Sequence, residues 1–285
     1  MKNSITLFSP AKLNLFLRVI RKRPDGYHEL ASLFQAIDLG DTITYTLTDG
    51  EDILYSTDPN LPHDSSNLIF KAATLFRKKT SFKCGLKVGL IKRIPIQAGL
   101  GGGSSNAATT LWALNQLTGN RYSTEELAEW SKELGSDITF FFSHGTAYCT
   151  GRGEEIHPIN CEIDSGLPLW LLKPKEGLST PEVFKNFNLL SCSLKQPMEL
   201  LNDFLGQTPC YVNDLESAAF KIMPRLQEIK RQLLEAGYQG VTMTGSGTAL
   251  FCFGKNPPEN FDSQIFKGDI FQVNYLRRST NNWYQ

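Results

Sequence analysis

The densest chemistry in the chain lies in the segment Pro95-Ile96-Gln97-Ala98-Gly99-Leu100-Gly101-Gly102-Gly103-Ser104-Ser105-Asn106, with four glycines and two hydroxyls. Glycine has no Cβ, so a ligand can approach the backbone closely and meet exposed N–H groups. If a helix follows, its free amides and positive dipole end favour an anion, and phosphate is the natural guest. The spacing is not that of a Walker A loop, since no Lys-Ser or Lys-Thr completes a G-x-x-x-x-G, and G-x-G-x-x-G fails at Ser104. The plain alternative is a glycine-rich turn that only redirects the chain.

A helix does follow. Ala107, Leu111 and Leu114, with Ala108 and Trp112, recur at helical spacing until Thr118-Gly119-Asn120 stops the pattern. Ser123 to Glu126 reads as a capping box for a second helix, with Leu127, Trp130 and Leu134 facing inward and Gly135 ending it; Asp137 lies just beyond. Near the N-terminus, Leu13, Leu15, Leu17 and Val19 alternate as in a half-buried strand, which puts Lys12 and Asn14 together on its other face. The run Thr42 to Leu47 also alternates and ends at Asp49-Gly50, a turn dipeptide. Ser179-Thr180-Pro181-Glu182 and Asn213-Asp214-Leu215-Glu216 each place a cap residue three before a Glu, and Gly237 closes the second helical stretch. Val241-Thr242-Met243 and Ala249 to Phe253 read as strands around Gly245-Ser246-Gly247. The mixture predicts an α+β protein, with a second α+β unit after about residue 165.

Length and composition fit that picture. A chain of 285 residues, 41% hydrophobic and 20% charged, suggests two folded domains and a cleft between them. Lys+Arg and Asp+Glu both number 29, so bulk charge gathers neither nucleic acid nor an anionic membrane, and an anion must be held locally. The six cysteines form no C-x-x-C pair, which argues against a zinc site or a disulfide framework and fits a reducing cytoplasm. Met1 to Pro10 has no signal-peptide apolar region, and no stretch reaches the roughly 18 apolar residues of a membrane span. A cytoplasmic location is expected.

The glycine segment strongly resembles the phosphate loop P-x-x-x-G-L-G-(G/S)-S-(S/A)-(A/N) of the GHMP kinases. Pro10-Ala11-Lys12-Leu13-Asn14-Leu15 and Arg23-Pro24-Asp25-Gly26-Tyr27-His28-Glu29-Leu30 are similar to the branch whose acceptor is a cytidine diphosphate-linked methylerythritol. Leu134 to Phe141 resembles that branch's L-G-(A/S)-D-(V/I)-P-F-F, with Thr139 for the usual proline, and Met243 to Gly247 its S-G-(S/T)-G loop, with Thr244 for the usual serine. The likeness implies a two-domain GHMP kinase fold. Its N-terminal domain, residues 1–162, is like the second domain of ribosomal protein S5, its C-terminal domain, residues 163–285, is ferredoxin-like, and the active site lies in the cleft between them. It implies ATP-dependent phosphorylation of the acceptor's 2-hydroxyl, in the non-mevalonate route to isopentenyl diphosphate, with Mg²⁺ accompanying ATP.

What the resemblance implies for single residues can be set beside their plainer readings. Asp137 would accept the proton of the attacking hydroxyl, and its alternative is a helix cap. Lys12 would balance developing negative charge, and its alternative is a solvated strand lysine. Pro95, Ala98, Gly99, Leu100, Gly101, Gly102, Gly103, Ser104, Ser105 and Asn106 would hold ATP, with Ser104 or Ser105 approaching Mg²⁺. Asn14, Tyr27, His28 and Phe184 would bind the acceptor, the aromatic ones enclosing its cytosine, although a core helix Phe is nearly as plausible at Phe184. Two rivals share the ATP machinery: a diphosphomevalonate decarboxylase, disfavoured by the D-G-Y-H-E-L run, and a non-catalytic metabolite sensor, disfavoured by the presence of both Lys12 and Asp137.

Overall fold

The structure, a computed structural model, describes residues 3–160, 166–258, 265–280 and 282–285. From the N-terminus come β1 (Ser4–Lys22), β2 (His28–Thr48), β3 (Ile53–Ser56), α1 (Leu68–Thr80), β4 (Gly85–Ile91), α2 (Gly102–Leu117), α3 (Thr124–Ser131), β5 (Thr146–Thr150) and β6 (Glu155–Pro158). Then follow β7 (Leu169–Pro174), α4 (Thr180–Asn186), α5 (Pro197–Leu205), β8 (Val212–Asn213), α6 (Glu216–Ile222), α7 (Pro224–Glu235), β9 (Gln239–Met243), β10 (Leu250–Phe253) and β11 (Gly268–Val273).

Two sheets organise these elements. The first has the order β3-β4-β2-β1-β8, with β5 also paired to β2 and β6 to β5; the second is β11-β7-β10-β9. The expected division at residues 162 and 163 lies outside the described residues. Two later segments return to the first sheet: β8 pairs in parallel with β1, and Tyr275 bridges Ile37. Trp283 and Tyr284 are buried in the first core.

β1 and β2 form one long antiparallel hairpin, from Lys22 opposite His28 to Ser4 opposite Thr46. Its turn is closed by Arg23 N to Tyr27 O at 2.8 Å, with Gly26 at φ 86. The alternation of Leu13, Leu15 and Leu17 is real, but the strand is buried on both faces rather than one. Leu13 and Leu15 pack with Leu171 of β7 and Phe251 of β10, between the two sheets. On the other face Lys12 and Asn14 are only 2% and 1% exposed.

Helix boundaries differ from expectation in two places. α3 has its Ser123–Glu126 capping box, but it ends at Ser131, and separate turns carry the chain through Gly135. Asn213 and Glu216 do not form a capping box either. Asn213 Oδ1 accepts from Leu215 N at 2.9 Å, and its amide reaches across to the carbonyls of Met243 and Gly245. Glu216 accepts from Met243 N at 2.9 Å, so the two side chains hold the end of β9 and the loop that leaves it. α4 begins as expected, with Ser179 accepting from Glu182 N and Pro181 in the first turn.

Candidate functional site

The glycine segment opens α2 as an uncapped helix start. Gly101 is the N-cap at φ 68, with no side-chain cap and no acidic residue in the first turn. The first intrahelical bond runs from Ser105 N to Gly101 O at 2.8 Å, leaving the preceding amides without helical acceptors. The second glycine loop backs the first at backbone distance. A Cβ at Gly99 would lie 2.0 Å from Thr244 O, and one at Gly247 would lie 2.1 Å from Gly99 N. Here glycine is required by close approach as much as by conformation.

The far end of the segment behaves differently from expectation. Ser105 is fully buried, and its hydroxyl pairs with Ser9 Oγ at 2.8 Å. The Asn106 amide donates to Ser9 Oγ and to Asp41 Oδ2, both at 2.9 Å. Asp41, fully buried, also accepts from Lys92 Nζ and from the amides of Arg93 and Ile94, each at 2.8 Å. Ser105 and Asn106 therefore anchor α2 to the sheet, because each helical step turns the side chain by about 100°, away from the direction of the preceding glycines. Pro95 through Gly103 and Asn106 line the main cavity, while Ser104 and Ser105 do not.

Lys12 sits against this loop. Its N–H donates to Leu100 O at 3.0 Å, its Nζ lies 3.7 Å from Asp137 Oδ2, and the ammonium stands 4.6 Å from the centre of the Phe34 ring. Asp137 is not a cap, since the one-turn helix at Thr139–Phe142 has Ile138 as its N-cap with no side-chain bond. Its carboxylate is 36% exposed, within reach of a substrate, whereas the lysine side chain is 3% exposed.

Asn14 was expected to bind substrate, but its polar groups are engaged by the protein. Oδ1 accepts from Lys12 Nζ at 2.6 Å and from the Thr244 hydroxyl at 3.3 Å, while Nδ2 donates to Ser32 Oγ at 2.8 Å. Asn14 thus holds Lys12, and Thr244 carries the tie to the second glycine loop. Thr139, where a proline is usual, bonds Ser131 through its hydroxyl at 3.1 Å and so ties the Asp137 segment to the end of α3.

Burial lowers the pKa of Lys12 below its ordinary 10.5, with the Asp137 charge opposing the shift. Turnover that needs the ammonium should therefore fall, as pH rises, along a limb centred below 10.5. Asp137→Asn should move that limb lower still. Stability runs the other way: between the lowered folded pKa and the unfolded value the unfolded chain binds more protons, so stability rises with pH across that window. A pH profile of kcat/KM, which reports the free enzyme, and urea unfolding at stepped pH measure the two trends, and a limb at or above 10.5 would contradict the first.

At the other end of the site, Tyr27 is exposed beside Arg152, whose guanidinium carbon lies 5.2 Å from its ring centre. His28 and Phe184 come together, but with no slot for a base between them. Their rings stack on each other, 5.0 Å between centroids and 23° between planes, with Phe187 edge-on to His28 at 5.7 Å. Rings in direct contact already stand about 4.5–7 Å apart, so a base must stack on the outside of this pair or part it. Burial, then the charge of Lys22, lowers the His28 pKa, which favours a neutral ring able to donate and accept.

The glycine loop, Lys12, Asn14, Asp137, Tyr27, His28 and Phe184 line one cavity of about 950 Å³. Among the described residues its wall carries Lys12, Lys22, Lys92, Arg152 and Lys185 against one carboxylate, Asp137. Lys92 is already paired with Asp41 and Arg152 with Glu154, but on a chain of zero formal net charge the wall is still a local excess of cations suited to a polyanion. Lys22, Lys92, Arg152 and Lys185 were not singled out from the sequence, because lysine and arginine are ordinarily surface residues and carry no spacing signal. Beyond the glycine loop the wall continues through Leu61, Pro62, Ser66, Asn67 and Leu68, leading into α1, a largely apolar end with one amide and one hydroxyl.

The family model of the GHMP kinases N terminal domain matches residues 67–145, and that of the GHMP kinases C terminal matches residues 189–262. The chain is 50% identical over 283 residues to the 4-diphosphocytidyl-2-C-methyl-D-erythritol kinase of Protochlamydia amoebophila (strain UWE25), covering 99% of this chain and 93% of that one. To the chloroplastic/chromoplastic protein of the same name from Solanum lycopersicum it is 46% identical over 293 residues, covering 98% and 73%. A crystal structure of 4-(cytidine 5'-diphospho)-2C-methyl-D-erythritol kinase matches with a TM-score of 0.73 at 33% identity, over 89% of this chain and 91% of that one. Homoserine kinase from Cytophaga hutchinsonii matches with a TM-score of 0.72 at 18% identity, over 97% and 96%, a likeness of fold alone.

Proposed function

This chain belongs to the GHMP kinase family, and from that premise we propose that it phosphorylates the 2-hydroxyl of 4-diphosphocytidyl-2-C-methyl-D-erythritol with ATP, giving the 2-phosphate and ADP. It is a two-domain α+β phosphotransferase with an alcohol acceptor, acting in the non-mevalonate route to isopentenyl diphosphate. The observation that carries the reading is the continuity of one cavity from an uncapped helix start, past Lys12 and Asp137, to the aromatic group at His28 and Phe184.

Phosphoryl transfer asks the protein mainly for positioning and charge stabilisation. In this reading the amides of the glycine loop hold the donor phosphates, and the end near Leu61 and Leu68 takes the adenine. Asp137 accepts the proton of the acceptor hydroxyl, while Lys12, held by Asn14, balances charge on the group in transfer. His28, Tyr27 and Phe184 meet the cytosine, and the basic wall faces the diphosphate between.

Magnesium fits as an ion carried in on the phosphates. Among the described residues no group of three or more His, Cys, Asp or Glu could cage a metal, and Asp137 is the one carboxylate on the wall. Mg²⁺ keeps most of its waters and needs only one or two carboxylates, and when bound it would neutralise phosphate charge.

The test is to incubate the protein with ATP, Mg²⁺ and the cytidine substrate, following ADP release and the new phosphate by ³¹P NMR. Mevalonate-pathway intermediates run in parallel. Carbon dioxide release from diphosphomevalonate would favour the decarboxylase, and ATP binding without turnover on any acceptor would favour a sensor. At the base end, Phe184→Ala should weaken acceptor binding by about 1–3 kcal/mol with ATP binding unchanged. His28→Ala should reduce the preference for the cytidine substrate over its uridine analogue in competition. Unchanged values would return Phe184 to a packing role and exclude His28 as the base reader.

A further inference from the structure

Asp137 approaches Lys12 at 3.7 Å, beyond hydrogen-bond length, so the backbone that carries it sets the position of the carboxylate. That backbone runs through three successive turns: Ile138 N to Gly135 O at 3.4 Å, Phe141 N to Ile138 O at 3.2 Å and Ser143 N to Phe140 O at 2.8 Å. The last carbonyls of such a turn need donors from elsewhere. They come from the far end of the chain. After β11 the chain crosses to the first sheet, where Leu276 N bonds Ala36 O at 2.8 Å, and then reaches Arg278, which is 5% exposed.

The Arg278 guanidinium donates to Phe142 O at 2.6 Å, Ser143 O at 3.0 Å and Asn282 O at 2.9 Å. Its own backbone N–H donates to His144 O at 3.1 Å. The cation lies 5.5 Å from the Trp112 ring and 5.9 Å from the Trp283 ring. No carboxylate of the described residues lies within ion-pair distance of it. A buried guanidinium directed at carbonyls rather than at a carboxylate is costly for stability alone, and its planar fork fixes the backbone it grips.

We propose that Arg278 is a positioning residue for phosphoryl transfer, clamping the C-terminal end of the Thr139–Phe142 turn so that Asp137 stands at the acceptor hydroxyl. The inference rests on the role given to Asp137 above. A displacement of about an ångström at a reacting group costs up to roughly 10²-fold in rate, so Arg278→Lys, which keeps charge and loses the fork, should lower kcat by about 10- to 10²-fold. KM for ATP and for the cytidine substrate should stay within about twofold, since neither binding surface includes Arg278.

The decisive measurement is a double-mutant cycle with Asp137→Asn, scored per folded molecule by near-UV circular dichroism. Once Asp137 is gone, Arg278→Lys should cost less than about twofold, and guanidinium ion should partly restore kcat to Arg278→Ala when Asp137 is present. An equal loss in both backgrounds, or a fall in stability with kcat per folded molecule unchanged, overturns the proposal. If Arg278→Ala does not fold, the lysine variant alone completes the cycle. A parent enzyme inactive on the acceptor would instead overturn the proposed reaction, and Asp137→Asn with parental turnover the role of Asp137.

Discussion

Asp137→Asn should lower turnover by roughly 10²–10⁴ while leaving ATP binding close to that of the parent. The substitution keeps the volume of the side chain and removes its ability to take a proton. The surroundings support a clean separation of chemistry from binding. Asp137 is not a cap, so no helix depends on it, and Lys12 has a second partner in Asn14, at 2.6 Å, to hold it in place. Single-turnover measurements with saturating ATP isolate the step. A loss smaller than about tenfold, ~1.4 kcal/mol of barrier, would make Asp137 an orienting group rather than the base.

Gly101→Val is expected to be nearly as damaging, for a different reason. Gly101 has φ 68, a conformation that costs a non-glycine residue about 1–2 kcal/mol and is worse for a β-branched one. Its new Cβ would lie 3.0 Å from Lys12 Cγ, 3.2 Å from Lys12 Cε and 3.3 Å from Phe141 Cζ. The branch therefore presses on Lys12 as well as on the space in front of the loop. ATP affinity and kcat should both fall, with kcat reduced by roughly 10²-fold. Gly50→Val is the control, since a Cβ there has no neighbour within 4 Å and the glycine has no positive φ. Titration of ATP against both variants, each checked for folding, decides the matter. A folded Gly101→Val that binds ATP and turns over like the parent would remove the loop from the site.

The two predictions draw on different kinds of information. The glycine-rich start of α2 at Gly99 to Gly103 was legible because it depends on residue type at consecutive positions and on the helix that follows. The same local logic found the Ser123–Glu126 capping box and the start of α4, since hydrogen bonds across three residues leave their mark in the sequence. It also put Lys12 and Asn14 on one face of β1, because a strand alternates with period two whatever packs against it.

What the sequence by itself determined, then, was the local chemistry: a glycine-rich helix start, a lysine and an asparagine in step, an acidic residue past a helix, and motifs whose likeness named the family. Tertiary structure alone decided which of those groups are free to act. The Thr244 hydroxyl that donates to Asn14 Oδ1 is 230 positions away, so nothing local reveals that the asparagine side chain is occupied. Ser105 and Asn106 belong to the loop by sequence, yet the turn of α2 carries them to Ser9 and Asp41. His28 and Phe184 were read as opposite walls of a base site, but packing across 156 positions stacks them on each other. Arg278 had no motif at all, because its function comes from three carbonyls that the fold gathers around it. A side chain's type is encoded at its own position, but whether its hydrogen bonds are already spent depends on partners brought together only when the chain has folded.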